Sequence, residues 1–232
     1  MRRYVIISLI FGLGVALLAL GAPRLIAAVV MLPGGPILQK VQNLEPVDEE
    51  ELKTLIVSQQ RGLSWIASGR KWMDLGLAQL LLAEKKVAND PERLNLISSA
   101  IKSLRTGLAM APASPFAWTR LAHAEILKGG ASPEALGAFR FGLETAPFEP
   151  RLAIARLTLG VSLWDELQEV EKQLIFKQMR STWKSTWKDK TRLTDFALET
   201  GRPNLIRAAL LKSPKDLAYF EKMLIWRAKK PS

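Results

Sequence analysis

A punctuation mark repeated at a fixed distance constrains this chain more than any other feature. Ala111-Pro112-Ala113-Ser114-Pro115 recurs in form as Ala146-Pro147-Phe148-Glu149-Pro150, 35 residues later. Proline interrupts helices because it lacks a backbone N–H and its ring crowds the preceding turn. Between the two marks lie helix-length segments at 116–128 and 133–145, parted by Gly129-Gly130-Ala131-Ser132. A helix, a glycine break, a second helix and a closing proline make one helical-hairpin unit, which buries its apolar face only by stacking on neighbours. The spacing therefore predicts an all-α chain of stacked hairpins, with the clearest repeat at 112–147.

The flanking segments follow the same pattern more loosely. Leu52, Leu55, Ile56, Leu63 and Ile66 recur at helical spacing, and residues 71–87 and 92–110 read as a further helix pair with Asp90 as a cap. Trp72 and Trp118 take core positions in this reading, so Trp118→Ala is expected to cost about 3–5 kcal/mol. Asp48, followed by Glu49, Glu50 and Glu51, reads as an N-cap with acids in the first turn, where the helix dipole favours them, rather than as acid–base or metal chemistry. Beyond Pro150 the repeat decays. Residues 151–163 predict one helix and 165–188 a single long charged helix carrying Trp183 and Trp187, with Gly160 permitting close packing. Short helices follow at 193–200, 203–212 and 214–226, as expected of a terminal, atypical unit.

The N-terminus carries a second strong signal. Arg2-Arg3 precedes 20 uncharged residues, Tyr4 to Pro23. At ~1.5 Å per residue such a run is long enough to cross a hydrocarbon core. It continues past Arg24 into further apolar sequence, longer than the apolar core of most signal peptides. A retained membrane anchor is the reading, with a cleaved signal peptide at Ala19-Leu20-Gly21 as its rival. The arginines before the span place the N-terminus in the cytoplasm and the remainder outside it, in the periplasm if the span lies in a bacterial inner membrane. Pro33-Gly34-Gly35-Pro36 predicts the end of the helical segment. The resulting division is an anchor at 1–32, a linker at 33–46, a helical domain at 47–228 and a tail at 229–232.

Enzyme chemistry finds no foothold. The chain has no cysteine and one histidine, His123, and it lacks Gly-x-Ser-x-Gly, Walker and dinucleotide-binding motifs. Metal sites want a second His or Cys. No catalytic residue, metal ligand or cofactor is assigned. Residues 151–232 hold 17 Lys/Arg against 9 Asp/Glu, an excess that favours anionic surfaces. Lys184, Lys188, Lys190 and Arg192, interleaved with Trp183 and Trp187, could meet anionic polysaccharide or lipid, whereas a Trp pair packed inside with lysines in water is the plainer alternative. Nucleic acid is not favoured as a partner.

Residues 70–160 resemble tetratricopeptide repeats: Trp118, Leu121, Ala122, Ala135, Phe139 and Pro147 fall where that repeat places its packing residues. With Trp118 as the fourth residue of the repeat, the resemblance implies a concave, peptide-holding face of Phe116, Thr119, His123 and Ile126. The alternative for His123 is a structural role between hairpins. The wider layout, with the N-terminal anchor, Pro115-Phe116-Ala117-Trp118-Thr119-Arg120-Leu121-Ala122, Ala146-Pro147-Phe148-Glu149-Pro150-Arg151-Leu152 and the Trp and Gly201-Arg202 region, resembles membrane-anchored helical accessory proteins of bacterial exopolysaccharide biosynthesis loci. That resemblance implies a scaffold docking a protein or peptide partner in a membrane complex. The competing expectation is a basic factor binding anionic polysaccharide or lipid through residues 151–232.

Overall fold

The computed structural model describes residues 2–147 and 149–229, with side chains from Ile10 onward. Phe148 of the second proline mark, the arginine side chains at the N-terminus and residues 230–232 of the tail lie outside the described residues. Every regular element among the described residues is helical. The chain divides into two compact units, 1–112 and 113–232.

The first unit holds α1 (Arg2–Met31), a 3-10 turn (Leu32–Gly34), α2 (Gly35–Gln42), α3 (Glu49–Leu63), α4 (Gly69–Lys85) and α5 (Pro91–Met110). Capping residues fix the starts. Asp48 Oδ1 accepts from the Glu51 N–H at 2.8 Å while Glu51 Oε2 accepts from the Asp48 N–H at 3.1 Å, a reciprocal capping box. The Asp90 carboxylate accepts from the Glu92 N–H, and Pro91 follows at the first helical position, where its missing N–H costs nothing. Helix α4 is buried almost all round, from Met73 through Ala83, because it packs against both α3 and α5. Two small residues allow the closest approach: Gly76 receives Leu104 of α5, and Gly69 lies on the Gly107 backbone. Inside this interface the Ser103 hydroxyl donates to Gln79 Oε1 at 2.8 Å, so two buried polar side chains satisfy each other.

Residues 33–46 form no linker. Helix resumes directly after a single 3-10 turn, and α2 buries Ile37 against Leu55 and Ala78, flanked by Leu38, Val47 and Ile56. The prolines permit this because Pro33 and Pro36 occupy first-turn positions of their helices, where no N–H is required. Gly34 is buried on Ser58 and Leu55 of α3, and Met31 fills the space over Gly62. Helix α1 runs unbroken through Pro23. Its Ile10–Leu20 stretch is exposed, and residues 10–42 form one helical run long and apolar enough to cross a membrane.

The second unit opens with the hairpin α6 (Pro115–Gly129) and α7 (Pro133–Thr145), close to the segments expected from sequence. Ser114 and Ser132 cap them, each followed by proline at the first position. Ala117, Leu121, Ala122 and Ala124 of α6 and Ala135, Ala138, Phe139 and Leu143 of α7 are buried. A 3-10 turn (Pro150–Leu152) leads to α8 (Ala153–Ser162), and a second (Trp164–Glu166) precedes α9 (Glu169–Lys184). Gly160 of α8 sits where Ile175 of α9 and Phe139 of α7 converge. Then follow α10 (Trp187–Glu199), α11 (Pro203–Leu210) and α12 (Pro214–Ala228).

The expected long helix over 165–188 is instead two helices. Thr186 caps α10: its hydroxyl accepts from the Asp189 N–H at 3.2 Å, and Asp189 Oδ2 accepts from the Thr186 hydroxyl at 2.7 Å. Trp183, at the end of α9, is fully buried, whereas Trp187, at the start of α10, is 55 % exposed. The pair is therefore no continuous aromatic stripe.

Candidate functional site

Helical rotation of ~100° per residue, combined with burial, defines the open side of α6. Phe116, Arg120, His123 and Leu127 are half-buried and share one face at spacings of four, three and four. Of the four residues expected there, Phe116 and His123 belong to it. Thr119 does not. It is 5 % exposed, its hydroxyl donates to the Pro115 carbonyl at 2.8 Å, and it packs over Gly142 of α7 inside the hairpin. Ile126 lies half-buried on the Thr119 side. The side-chain hydroxyl finds its acceptor within its own helix, so a threonine enters the interface at little cost.

The ring of Phe116 is the centre of this face. The Arg120 guanidinium carbon stands 6.0 Å from its centroid and that of Arg151 stands 5.2 Å away, so two cations from different elements address one aromatic ring. Arg151 is steadied by Glu149, whose carboxylate accepts from both the Arg151 backbone N–H and its Nε at 3.2 Å. Those bonds, the backbone one foremost, hold the Glu149 carboxyl below its ordinary range. Trp118 is half-buried and stacks on Phe141 with centroids 4.8 Å apart, which removes it from the core position expected for it. Trp72 is likewise only half-buried.

One group that sequence reasoning missed organises the hairpin end. Arg156 of α8 is 1 % exposed, and its guanidinium donates to the Ala146 carbonyl at 2.7 Å and to the Gly142 carbonyl. A cation thus meets the carbonyls at the C-terminal end of α7, where the helix dipole favours it. Burial lowers the pKa of this guanidinium, and its Nε has no hydrogen-bond partner among the described residues. The only signal in sequence is a lone arginine in an apolar helix, Ile154-Ala155-Arg156-Leu157.

The basic quartet is divided between two helices. Lys190 lies over the rings of Trp183 and Tyr219, at 5.8 and 5.7 Å. Lys188 and Arg192 are exposed one turn apart on α10, with Arg192 4.0 Å from Asp189. Lys184 belongs to α9, where it lines a shallow depression with Lys177, Arg180, Ser181 and Ser185. Trp183 packs edge-on against Phe220 and Tyr219, and the half-exposed Trp187 and Tyr219 close the cluster. Among the described residues no group of three or more His, Asp or Glu is placed to hold a metal.

No protein-family model and no curated protein matches the chain. A solved structure does: the crystal structure of a thermophilic TPR protein of Thermus thermophilus superposes with a TM-score of 0.50 at 16 % identity, covering 84 % of this chain and 99 % of that one. The fold is thus tetratricopeptide-like, an all-α array of helical hairpins.

Proposed function

We propose that this protein is a non-catalytic, membrane-anchored scaffold that docks a peptide or protein segment on the open face of α6. The observation that carries the reading is Phe116, approached by both Arg120 and Arg151 on a half-exposed helix face. A ring flanked by guanidinium groups offers an apolar contact and planar donors together, which suits a partner bringing an apolar side chain beside a carboxylate. The exposed apolar length of α1 supports single-pass anchoring. The two arginines before it favour a bacterial inner-membrane protein with its repeats in the periplasm. A setting in exopolysaccharide assembly or export rests on the resemblance of the 115–122 and 146–152 segments.

Capture of partners by the tagged full-length chain from detergent-solubilised membranes tests the site. Phe116→Ala and the charge reversals Arg120→Glu and Arg151→Glu should abolish a captured band that Lys188→Gln with Arg192→Gln leaves intact. The opposite pattern, with a steep salt dependence, would transfer the function to anionic polysaccharide bound through the basic residues of the last third, Lys188 and Arg192 among them. A reporter active only outside the cytoplasm, fused after Ser232, tests the orientation; an inactive fusion overturns it.

A further inference from the structure

At the N-terminal end of α3 three lysines are neutralised: Lys40 by Glu51 at 2.5 Å, Lys53 by Glu50 at 2.7 Å, Lys86 by Glu49 and Glu92 at 3.1 Å. At the opposite end Arg24, Arg61 and Arg70 are exposed and carry no ion pair among the described residues, and Lys71 contacts only the Met31 thioether, at 2.7 Å. Trp65, in the turn between α3 and α4, is 49 % exposed at this same end. Met110 of α5, also 49 % exposed, is brought there by the packing of Gly69 on Gly107 and Met110.

This is the end from which α1 emerges. Gly34 lies against Ser58 and Met31 against Gly62, so α1 runs antiparallel to α3, and each step back toward the N-terminus passes beyond the α3 C-terminus. At ~1.5 Å per residue the edge of the apolar span at Pro23 lies ~12 Å from Met31. A headgroup layer of roughly 5–7 Å, half the difference between the whole bilayer and its hydrocarbon core, fills the space between that edge and the α3–α4 turn.

We propose that the α3–α4 corner, with Trp65, Arg61 and Arg70 beside the membrane helix, is a docking platform for anionic phospholipid headgroups of the bilayer that holds α1. The proposal rests on the reading of α1 as a membrane span. Tryptophan suits headgroup depth because its ring is apolar and its N–H is polar. Guanidinium forks match phosphate oxygens in pairs, and cations within a Debye length of an anionic leaflet are drawn to it. Phosphates bound at this corner would then hold α3 in a defined orientation to the bilayer plane.

The absence of cysteine makes the test direct, since one introduced cysteine carries a unique fluorophore. The full chain is reconstituted in phosphatidylcholine vesicles with and without phosphatidylglycerol, and quenching by headgroup-labelled nitroxide lipid is read at Ala67→Cys in the corner. Leu17→Cys in α1 and Val87→Cys at the far end serve as references. Quenching at 67 should exceed that at 87 several-fold and rise further with phosphatidylglycerol. Arg61→Gln with Arg70→Gln should erase that rise while quenching at 17 persists. Equal quenching at 67 and 87, with 17 quenched by lipid labelled in its acyl chain, overturns the platform and leaves the anchor standing. No quenching at 17 in that lipid removes the anchor and the platform with it.

Discussion

Gly34→Ala separates a packed helical turn from a free linker by the sign of its effect. Gly34 has φ −82° and ψ −15°, a conformation open to alanine. In a linker the substitution would be neutral, or stabilising by about 0.4–1 kcal/mol through the unfolded chain. Here a Cβ at Gly34 overlaps Ser58 Oγ and stands 3.1 Å from both Leu55 Cδ1 and Ser58 Cβ. Ser58 is 3 % exposed, and its hydroxyl donates to the Leu55 carbonyl at 2.9 Å. Rotating it away loses that bond, worth about 1 kcal/mol, and still leaves both close carbon contacts. Overpacking of this kind costs about 1–3 kcal/mol, so a net loss of roughly 1–2 kcal/mol remains after the unfolded-state gain. Hydrogen exchange of α3 amides in detergent micelles should accelerate by roughly 5- to 30-fold. Ser58→Ala removes the overlapping oxygen, so the double variant should be less destabilised than the two singles combined, by at least about 0.5 kcal/mol. Unchanged or slowed exchange in Gly34→Ala, or strict additivity in the double variant, would refute the packed turn.

Trp183→Ala should cost about 3–5 kcal/mol and Trp118→Ala less than about 2 kcal/mol, because Trp183 is enclosed while Trp118 is half-buried and stacks on the exposed Phe141; thermal melts reading the reverse order would place the core elsewhere. Arg156→Met should destabilise the second unit by about 2–3 kcal/mol, since carbonyls left without a donor outweigh relief of the buried charge. Arg156→Lys should lose nearly as much, because an ammonium cannot span both carbonyls. The Lys40 side chain, and after it the Asp48 N–H, lowers the Glu51 pKa from 4.5. Stability from that site is present above about pH 4.5 and is lost as pH falls through the lowered value. Lys40→Met should move the Glu51 carboxyl titration, followed by NMR, back upward.

How far this structure can be read from its sequence depends on whether a residue's role follows from its type or from its neighbours. The α6–α7 hairpin is legible because serine–proline pairs start both helices, and those residues act locally. The turn at Pro33–Pro36 misleads because prolines that would break a helix interior are harmless in first turns, and only burial on Ser58 and Leu55 reveals the packing. The open face of α6 is misread by one position because threonine counts as a surface residue until its hydroxyl is seen bonded to the Pro115 carbonyl. The clearest contrast is Ser181-Thr182-Trp183-Lys184 followed at once by Ser185-Thr186-Trp187-Lys188, identical quartets with opposite fates. Three residues beyond Thr182 stands Ser185, which offers no carboxylate, and the helix runs on to bury Trp183. Three beyond Thr186 stands Asp189, whose carboxylate completes a capping box, so a new helix starts and Trp187 is left at its exposed first position. A period-four repeat suggests one continuous helix, and a single carboxylate ends it. Lys188 and Arg192 consequently travel with α10 while Lys184 stays on α9, and the four cations that look contiguous in sequence are divided between two helices.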